Sequence, residues 1–317
     1  MARKRPELNK SETVAELPKA CASEVAAVEF FERKRWGGTP CCVHCGSVGV
    51  YQMTDRKTGE RNKRFLWRCR DCGKQSTVRT GTIFEESLIP LHKWARAFWQ
   101  AASNKNGGSA IELARQIQVT HKTALFMLHR IRWAMADGNG PKLGGTIEAD
   151  ETYVGGKPRK RIRGGFGNKA PKVPVFAVVQ RGGDVRACIM PNVTAYNVRE
   201  ALDGIADLSA KLMTDESPVY RRIGEPFASH GRVNHSKWEY VSATNPDIHT
   251  NTIEGFFSRV KRQLESTYYA VSKEHLHRYI AQAAFLYNPR RMKDGERIDH
   301  LIRRADGKRL YFRDAVA

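Results

Sequence analysis

The sequence predicts an α/β protein in three blocks: a metal-stapled ribbon, a small helical region, and a larger domain of mixed strands and helices. Three observations predict it. Two C-x2-C pairs lie within residues 42–72, and apolar residues repeat at helical spacing from Leu91 to Met135. Beyond a Gly- and Pro-rich stretch at 137–145 the pattern changes to alternating strands and helices.

The chain has 317 residues, enough for two or three domains, of which 41% are hydrophobic and 27% charged. That balance fits a globular protein and excludes wholesale disorder. Lys and Arg number 54 against 33 Asp and Glu, a net charge of +21, which points to a polyanionic partner. No apolar run approaches the roughly 18–20 residues of a membrane-spanning helix. The N-terminal segment MARKRPELNK has basic residues but no apolar core after them, so it does not read as a secretory signal. Seven cysteines, four of them in two tight pairs, read as metal binding in a reducing compartment.

Residues 1–21 are polar and are expected to form a flexible arm. Within 22–85, the ribbon block, Val25, Val28 and Phe31 mark a helix, and a Gly-containing polar turn precedes the strand-like Phe65-Leu66-Trp67. In 86–136, Pro90 opens a helix carrying Leu91, Trp94, Phe98 and Trp99, which Asn106-Gly107-Gly108 stops. Two further helices, 109–117 and 120–135, follow with a very short turn between them. In the last block, 145–290, a strand runs from Gly145 to Val154. A hairpin turns at Arg181-Gly182-Gly183-Asp184, a helix covers 195–206, and a short strand ends at Thr214-Asp215. Two helices close the block, about 250–266 and 273–287. Residues 291–317 are a basic tail.

Cys42, Cys45, Cys69 and Cys72 supply four thiolates at the spacing of two metal knuckles, which suits a closed tetrahedral structural Zn2+ with no open catalytic position. Gly46 and Gly73 follow the knuckles and permit the tight turns that aim amides at sulfur. Cys41 and His44 are neighbouring donors, but only Cys42 gives the C-x2-C spacing. Lys34, Arg35, Arg61, Lys63, Arg64, Arg68, Arg70 and Lys74 surround the knuckles, a set suited to neutralising phosphates. The helix pair at 109–135 has the pattern of a helix-turn-helix, with Leu125, Leu128, Ile131 and Met135 inward and Lys122 and Arg130 off that stripe, as DNA contacts. Three acids stand at the ends of ordered elements. Asp150 and Asp215 close strands, and Glu254 lies on a helical face with Asn251 and Lys261. Acids so placed can converge on two Mg2+ (or Mn2+) ions for phosphoryl transfer, because hard cations take carboxylate oxygens.

The ribbon, PLHKWARAFW, ELARQIQVTHKTALFMLHRIR, ADETYVGGK, the TDES-x-x-Y stretch (Thr214 to Tyr220), the H-x3-NH of His230 to His235, HTNTIEGFFSRVK and HLHRY…FLYNPR together resemble the ISXO2-like transposases of the IS1595 group, in order, over about residues 22–290. The resemblance implies an RNase H-like catalytic domain, a mixed sheet flanked by helices, and DDE-type DNA transposition. It carries the first two metal-binding acids onto Asp150 and Asp215. The third position is Glu or Asn in that family, with a downstream Lys. Spacing does not choose between Glu254 and Asn251; as the better magnesium ligand Glu254 is preferred, with Asn251 assisting and Lys261 on a phosphate. His235 and His249 lie nearby in sequence and are equally well read as ordinary hydrogen-bonded histidines.

The basic stretch after the first acidic strand, with Lys157, Arg159, Lys160, Arg161 and Arg163, reads as a loop gripping DNA backbone. The expected function is an insertion-sequence transposase, cytoplasmic and nucleoid-associated in a prokaryote. It would act on double-stranded DNA, both element ends and target, as a homodimer or higher oligomer. A DNA-binding regulator with an inactive catalytic scaffold and a nuclease without strand joining are the rivals.

Overall fold

The structure, a computed structural model, describes residues 11–136, 140–155, 172–234, 236, 241–242 and 245–311. Its chain divides into two compact units, one of residues 1–135 with 291–317 and one of residues 136–290.

The first unit begins with helix α1 (Glu12–Ala22), where a flexible arm was expected. Thr13, Leu17 and Ala20 fall at i, i+4 and i+7 and are buried, a stripe narrow enough to be hidden among charged neighbours. Helix α2 (Glu24–Trp36) starts at Ser23, whose hydroxyl accepts from the Ala26 amide, and ends at the left-handed Gly37. Strands β1 (Val50–Gln52), β2 (Trp67–Cys69) and β3 (Gln75–Ser76) form an antiparallel ribbon in the order β1-β2-β3. Glu32 of α2 ties the ribbon down by accepting from the Trp67 indole at 2.7 Å, and it pairs with Arg61.

Helices α3 (Leu91–Ser103), α4 (Ala110–Ile117) and α5 (His121–Met135) follow. The turn between α4 and α5 contains Gln118 at φ 52°, an αL cap, and Thr120, whose hydroxyl accepts from the Thr123 amide. The unit's core is aromatic: Phe31 meets Phe84 and Phe98 edge-on at 5.0 and 5.8 Å, and Phe84 meets Trp94 at 5.2 Å. The basic tail is a second departure from expectation. Asp294–Arg304 forms a helix, here named α10, that packs on α1, α2, α3 and α5. Ile298, Leu301 and Ile302 bury its i, i+3, i+4 face beneath an arginine-rich exterior.

The second unit contains strands β4 (Thr146–Gly155), β5 (Lys172–Gln180), β6 (Val185–Ile189), β7 (Lys211–Thr214) and β8 (Ser229–Arg232) in one sheet. Their order is β6-β5-β4-β7-β8; β4, β5 and β6 run antiparallel, while β7 and β8 run parallel to β4. With helices on both faces this is an RNase H-like sheet. On one face Ile147, Ala149, Phe176 and Val178 pack against helix α6 (Ala195–Ile205) and against Tyr220 and Ile223 of the short helix α7 (Tyr220–Ile223). On the other, Val175, Ala177 and Val179 meet helices α8 (Asn251–Gln263) and α9 (Leu276–Tyr287). Burial on both sides explains why β5 reads as a nearly continuous apolar run. Past α8 the helix widens into a π-helical turn, Leu264–Tyr268.

Candidate active site and metal centre

In the first unit the two knuckles bring four sulfurs together. Cys42 Sγ lies 3.6 Å from Cys72 Sγ and Cys45 Sγ 3.7 Å from Cys69 Sγ. Among the described residues this is the only group of three or more His, Cys, Asp or Glu whose ligand atoms all lie within 4.8 Å of one another. Tetrahedral Zn–S bonds of about 2.3 Å place sulfurs roughly 3.8 Å apart, so the cluster fits zinc. Gly46 and Gly73 adopt φ of 76° and 68°, the left-handed turns that the knuckles need. The His44 amide donates to Cys42 Sγ at 3.4 Å, the backbone-to-sulfur contact of a metal knuckle. Cys41 stays outside the cluster.

In the second unit, β4 carries Glu148 and Asp150 on the α8 face of the sheet and Glu151 on the opposite face. β7 pairs with β4 in parallel, with Glu148 opposite Met213. Two residues further along the same register Asp150 and Asp215 come level just past the end of β7. Asp150 was expected to close its strand, but β4 runs on to Gly155 and stays paired with β5, so Asp150 sits in mid-strand. The Asp215 carboxylate accepts from the Ser217 amide at 3.0 Å. Helix α8 completes the site. Asp150, Glu151, Thr152, Glu254, Phe257, Ser258, Lys261, Arg262, Glu265 and Ser266 line a cleft of about 800 Å³.

Burial, reinforced by the charges of Glu151, Asp215 and Glu254, pushes the Asp150 carboxyl up to about 7 against the pull of the Glu151 amide at 2.7 Å. Glu151 is also raised, by burial first, although the Tyr220 hydroxyl donates to it. Burial, with the charges of Glu151, Asp150 and Asp215, holds the Tyr220 phenol protonated, well above its ordinary range. His230 on β8 contacts Thr214 Oγ1 at 2.9 Å through Nε2, and burial lowers its pKa. The acids of the cleft stand further apart than the cysteine sulfurs do.

The expected residues fall out unevenly. Asp150, Glu254 and Lys261 line one cleft, and Asp215 lies close enough to raise Asp150. Asn251 occupies the exposed start of α8 and does not line it. His249 faces Glu148, its ring Nδ1 3.3 Å from Oε1, and its carbonyl accepts from Arg181 at 2.8 Å. Lys122 is exposed on the first turn of α5.

Arg130 is a correction. It is 6% exposed, and its Nη1 donates to the carbonyls of Ile83 and Glu85 at 2.7 and 2.9 Å, so it is an internal strut and not a DNA contact. Lys157, Arg159, Lys160, Arg161, Arg163 and His235 lie outside the described residues. Sequence reasoning missed Glu151, Arg262 and Glu265 in the cleft. Glu151 carried a signal, because it directly follows Asp150 in the acid-rich run Glu148-Ala149-Asp150-Glu151.

A four-cysteine ribbon preceding an RNase H-like sheet with acids level on adjacent parallel strands defines a zinc-ribbon protein of the DDE transposase class. Residues 142–288 match the ISXO2-like transposase domain, and residues 22–75 match the transposase zinc-ribbon domain. An uncharacterized protein in transposable element ISH50 of Halobacterium salinarum is 30% identical over 276 residues, covering 83% of this chain and 90% of the relative. The chain belongs to the ISXO2-like transposase family. A crystal structure of a pre-cleavage Mos1 transpososome aligns at 12% identity over 65% of this chain and 76% of its own, with a TM-score of 0.22, too low to bear on the fold. Among the described residues no helix is long and apolar enough to cross a membrane.

Proposed function

We propose that this transposase binds the terminal inverted repeats of its element, hydrolyses one phosphodiester to free a 3′-hydroxyl, and uses that hydroxyl to attack target DNA. The observation that carries the reading is the convergence of Asp150, Glu151 and Glu254 on one cleft with Asp215 level with Asp150. In the first step a water oxygen displaces the 3′-oxygen at phosphorus. In the second the freed 3′-oxygen displaces the target's 3′-oxygen, so each step breaks one P–O bond and forms another.

Among the described residues the acidic donors of the cleft are carboxylates, with no thiolate or imidazole in its lining, which fits Mg2+ or Mn2+. When bound, two such ions would supply Lewis-acid stabilisation of the phosphoryl oxygens and acidify the attacking oxygen. Asp150, Asp215 and Glu254 are the residues we assign to hold them. Lys261 and Arg262, about two turns beyond Glu254 on α8, place positive charge at the cleft wall for the DNA phosphates. Tyr220, kept protonated, donates to Glu151 and holds that carboxylate on the α7 side of the sheet.

For DNA binding we assign the exposed face of the ribbon. Arg68 pairs across from Tyr51 on β1, and the Arg70 guanidinium stacks on the Tyr51 ring at 4.9 Å. Lys122 at the start of α5 is the assigned helical contact. Joining two ends calls for two or more protomers, and free thiolate knuckles suit a cytoplasmic, nucleoid-associated protein.

The test is a labelled duplex carrying the element end, incubated with the protein and Mg2+ or Mn2+ and compared with Asp150→Asn and Asp215→Asn. Nicking and joining that both variants abolish while DNA binding survives is the expected result. Nicking without joining would leave a nuclease, and binding without cleavage would leave a regulator.

A further inference from the structure

The proposed chemistry leaves one acid of the second unit unused. Glu148 is fully buried, two residues before Asp150 on the same face of β4. A carboxylate in that position is costly unless its oxygens are met by donors. Four meet them. Arg181 Nε donates to Oε1 at 2.6 Å and the Thr252 hydroxyl to the same oxygen at 2.8 Å. The amides of Thr252 and Ile253 donate to Oε2 at 2.8 and 2.9 Å.

Those two amides belong to the first turn of α8, where backbone N–H groups have no intrahelical acceptor. An N-cap side chain ordinarily serves them, but the residue at that position, Thr250, makes no side-chain cap. Glu148, more than a hundred residues earlier in the chain, takes its place. Arg181 extends the fastening: while one nitrogen holds Glu148, the others donate to the carbonyls of Asp247 at 2.7 Å and His249 at 2.8 Å, in the segment entering α8. The strand that bears Asp150 and the helix that bears Glu254 and Lys261 are thus joined at one carboxylate, two residues from Asp150 on one side and two from Glu254 on the other.

We propose that Glu148 is a positioning residue of this active site. Its carboxylate caps α8 from β4 and so sets the separation between Asp150 and Glu254, and with it the spacing available to the divalent cations they hold. The inference rests on the metal-dependent reading of the cleft. Arg181 belongs to the same device, because it neutralises Glu148 and fixes the approach to the helix.

The experiment compares the full-length protein with Glu148→Asp, which keeps the charge for Arg181 but shortens the arm by one methylene, with Glu148→Gln, and with Asp150→Asn. Three readouts are taken on each: Mn2+ affinity from the paramagnetic signal of free Mn2+, DNA-end affinity, and cleavage rate. Hydrogen exchange at Thr252 and Ile253 reports the cap directly. Groups that orient metal ligands typically matter by about 10–100-fold in metal affinity or activity. Glu148→Asp is therefore expected to weaken Mn2+ binding and slow cleavage by roughly that range, with DNA-end affinity unchanged and faster exchange confined to the start of α8. A merely structural role would lower the melting temperature and leave Mn2+ affinity per folded molecule at the wild-type value.

That last result, in both Glu148 variants, would overturn the proposal. Equal Mn2+ binding by wild type and Asp150→Asn would overturn the metal reading and the inference with it. A wild type that binds Mn2+ through Asp150 but does not cleave would remove the transposase chemistry, and a Glu148 effect on Mn2+ affinity would then still uphold the positioning role.

Discussion

Replacing Arg130 by Met separates an internal strut from a DNA contact. The guanidinium is buried and gives two bonds from one nitrogen, to Ile83 and Glu85 carbonyls, while its plane lies 4.8 Å over the Phe126 ring. A hydrogen bond from a charged group contributes about 1.5–3 kcal/mol, and a carbonyl left without its donor adds a desolvation cost. The ring contact adds about 0.5–1 kcal/mol. Met keeps the apolar stem, and two bonds sharing a nitrogen count for less than two separate ones, so the expected loss is about 2–4 kcal/mol. For a unit of this size that lowers the melting temperature by roughly 5–15 °C. The assay is thermal unfolding of the full chain, paired with DNA-end binding measured across a salt series. Arg130→Met should lower the melting transition of the first unit and leave the salt slope of binding alone. Lys122→Gln should do the reverse, leaving melting unchanged and reducing the slope by about 0.9, one phosphate. Wild-type melting in Arg130→Met together with a slope reduced by one phosphate would refute the strut and restore the DNA contact.

Three further outcomes are expected. Stripping zinc with a chelator, or replacing the buried Cys69 by Ser, should take zinc content from one ion per chain to none and remove the ribbon's contribution to the melt, measured by elemental analysis and calorimetry; an unchanged melt without zinc would refute the structural site. Burial alone would raise the Glu24 carboxyl, but the amides of Leu91 and His92, the His92 ring and Arg79 together hold it below the ordinary range. Its stabilising effect is therefore full above the unfolded carboxylate pKa of about 4.3 and is lost as pH falls through the folded one. Glu24→Gln should be less stable than wild type at pH 7, with the difference in urea midpoint vanishing at acid pH, and a constant difference down to acid pH would contradict this. Gly224→Ala would put a Cβ 2.0 Å from His230 Nδ1, which forces the ring off Thr214 beside Asp215. A stability loss of about 1–3 kcal/mol with slower DNA cleavage is expected, read by urea unfolding and the nicking assay.

What the sequence disclosed depended on how local each feature is. The zinc cluster was legible because C-x2-C-G encodes both the ligands and the turn that aims them. The strand at 145–154, the hairpin at Arg181 and the helices carrying Glu254 and Leu276 were legible because periodicity is local as well. Arg130 misled because α5 is enclosed on several sides. Nine of its fifteen residues are buried, including His129, Arg130 and Arg132, so a position off the main apolar stripe was still interior. The partners that bury it, Ile83 and Glu85, sit 45–47 residues away in the chain. Glu148 shared a face with Asp150 by simple alternation, but its task was invisible until Thr252 and Ile253 were placed against it. Helices α1 and α10 escaped for a related reason. α1 offers three buried positions and α10 four, all amid charge, and each helix is stabilised by contact with the other, almost the whole length of the chain apart.

That last pairing governs the order of events at the ribosome. The first unit closes with α10, which follows the entire RNase H-like unit in the sequence. Domains generally fold from the N-terminus during synthesis, at about 5–20 residues per second, and the intervening residues 136–290 take on the order of 8–30 s to translate. Throughout that interval the aromatic core lacks its final helix. Release of the completed polypeptide is thus the event that licenses the first unit, and a message cut short before codon 291 would yield a protein whose N-terminal half is compromised although every one of its codons was read.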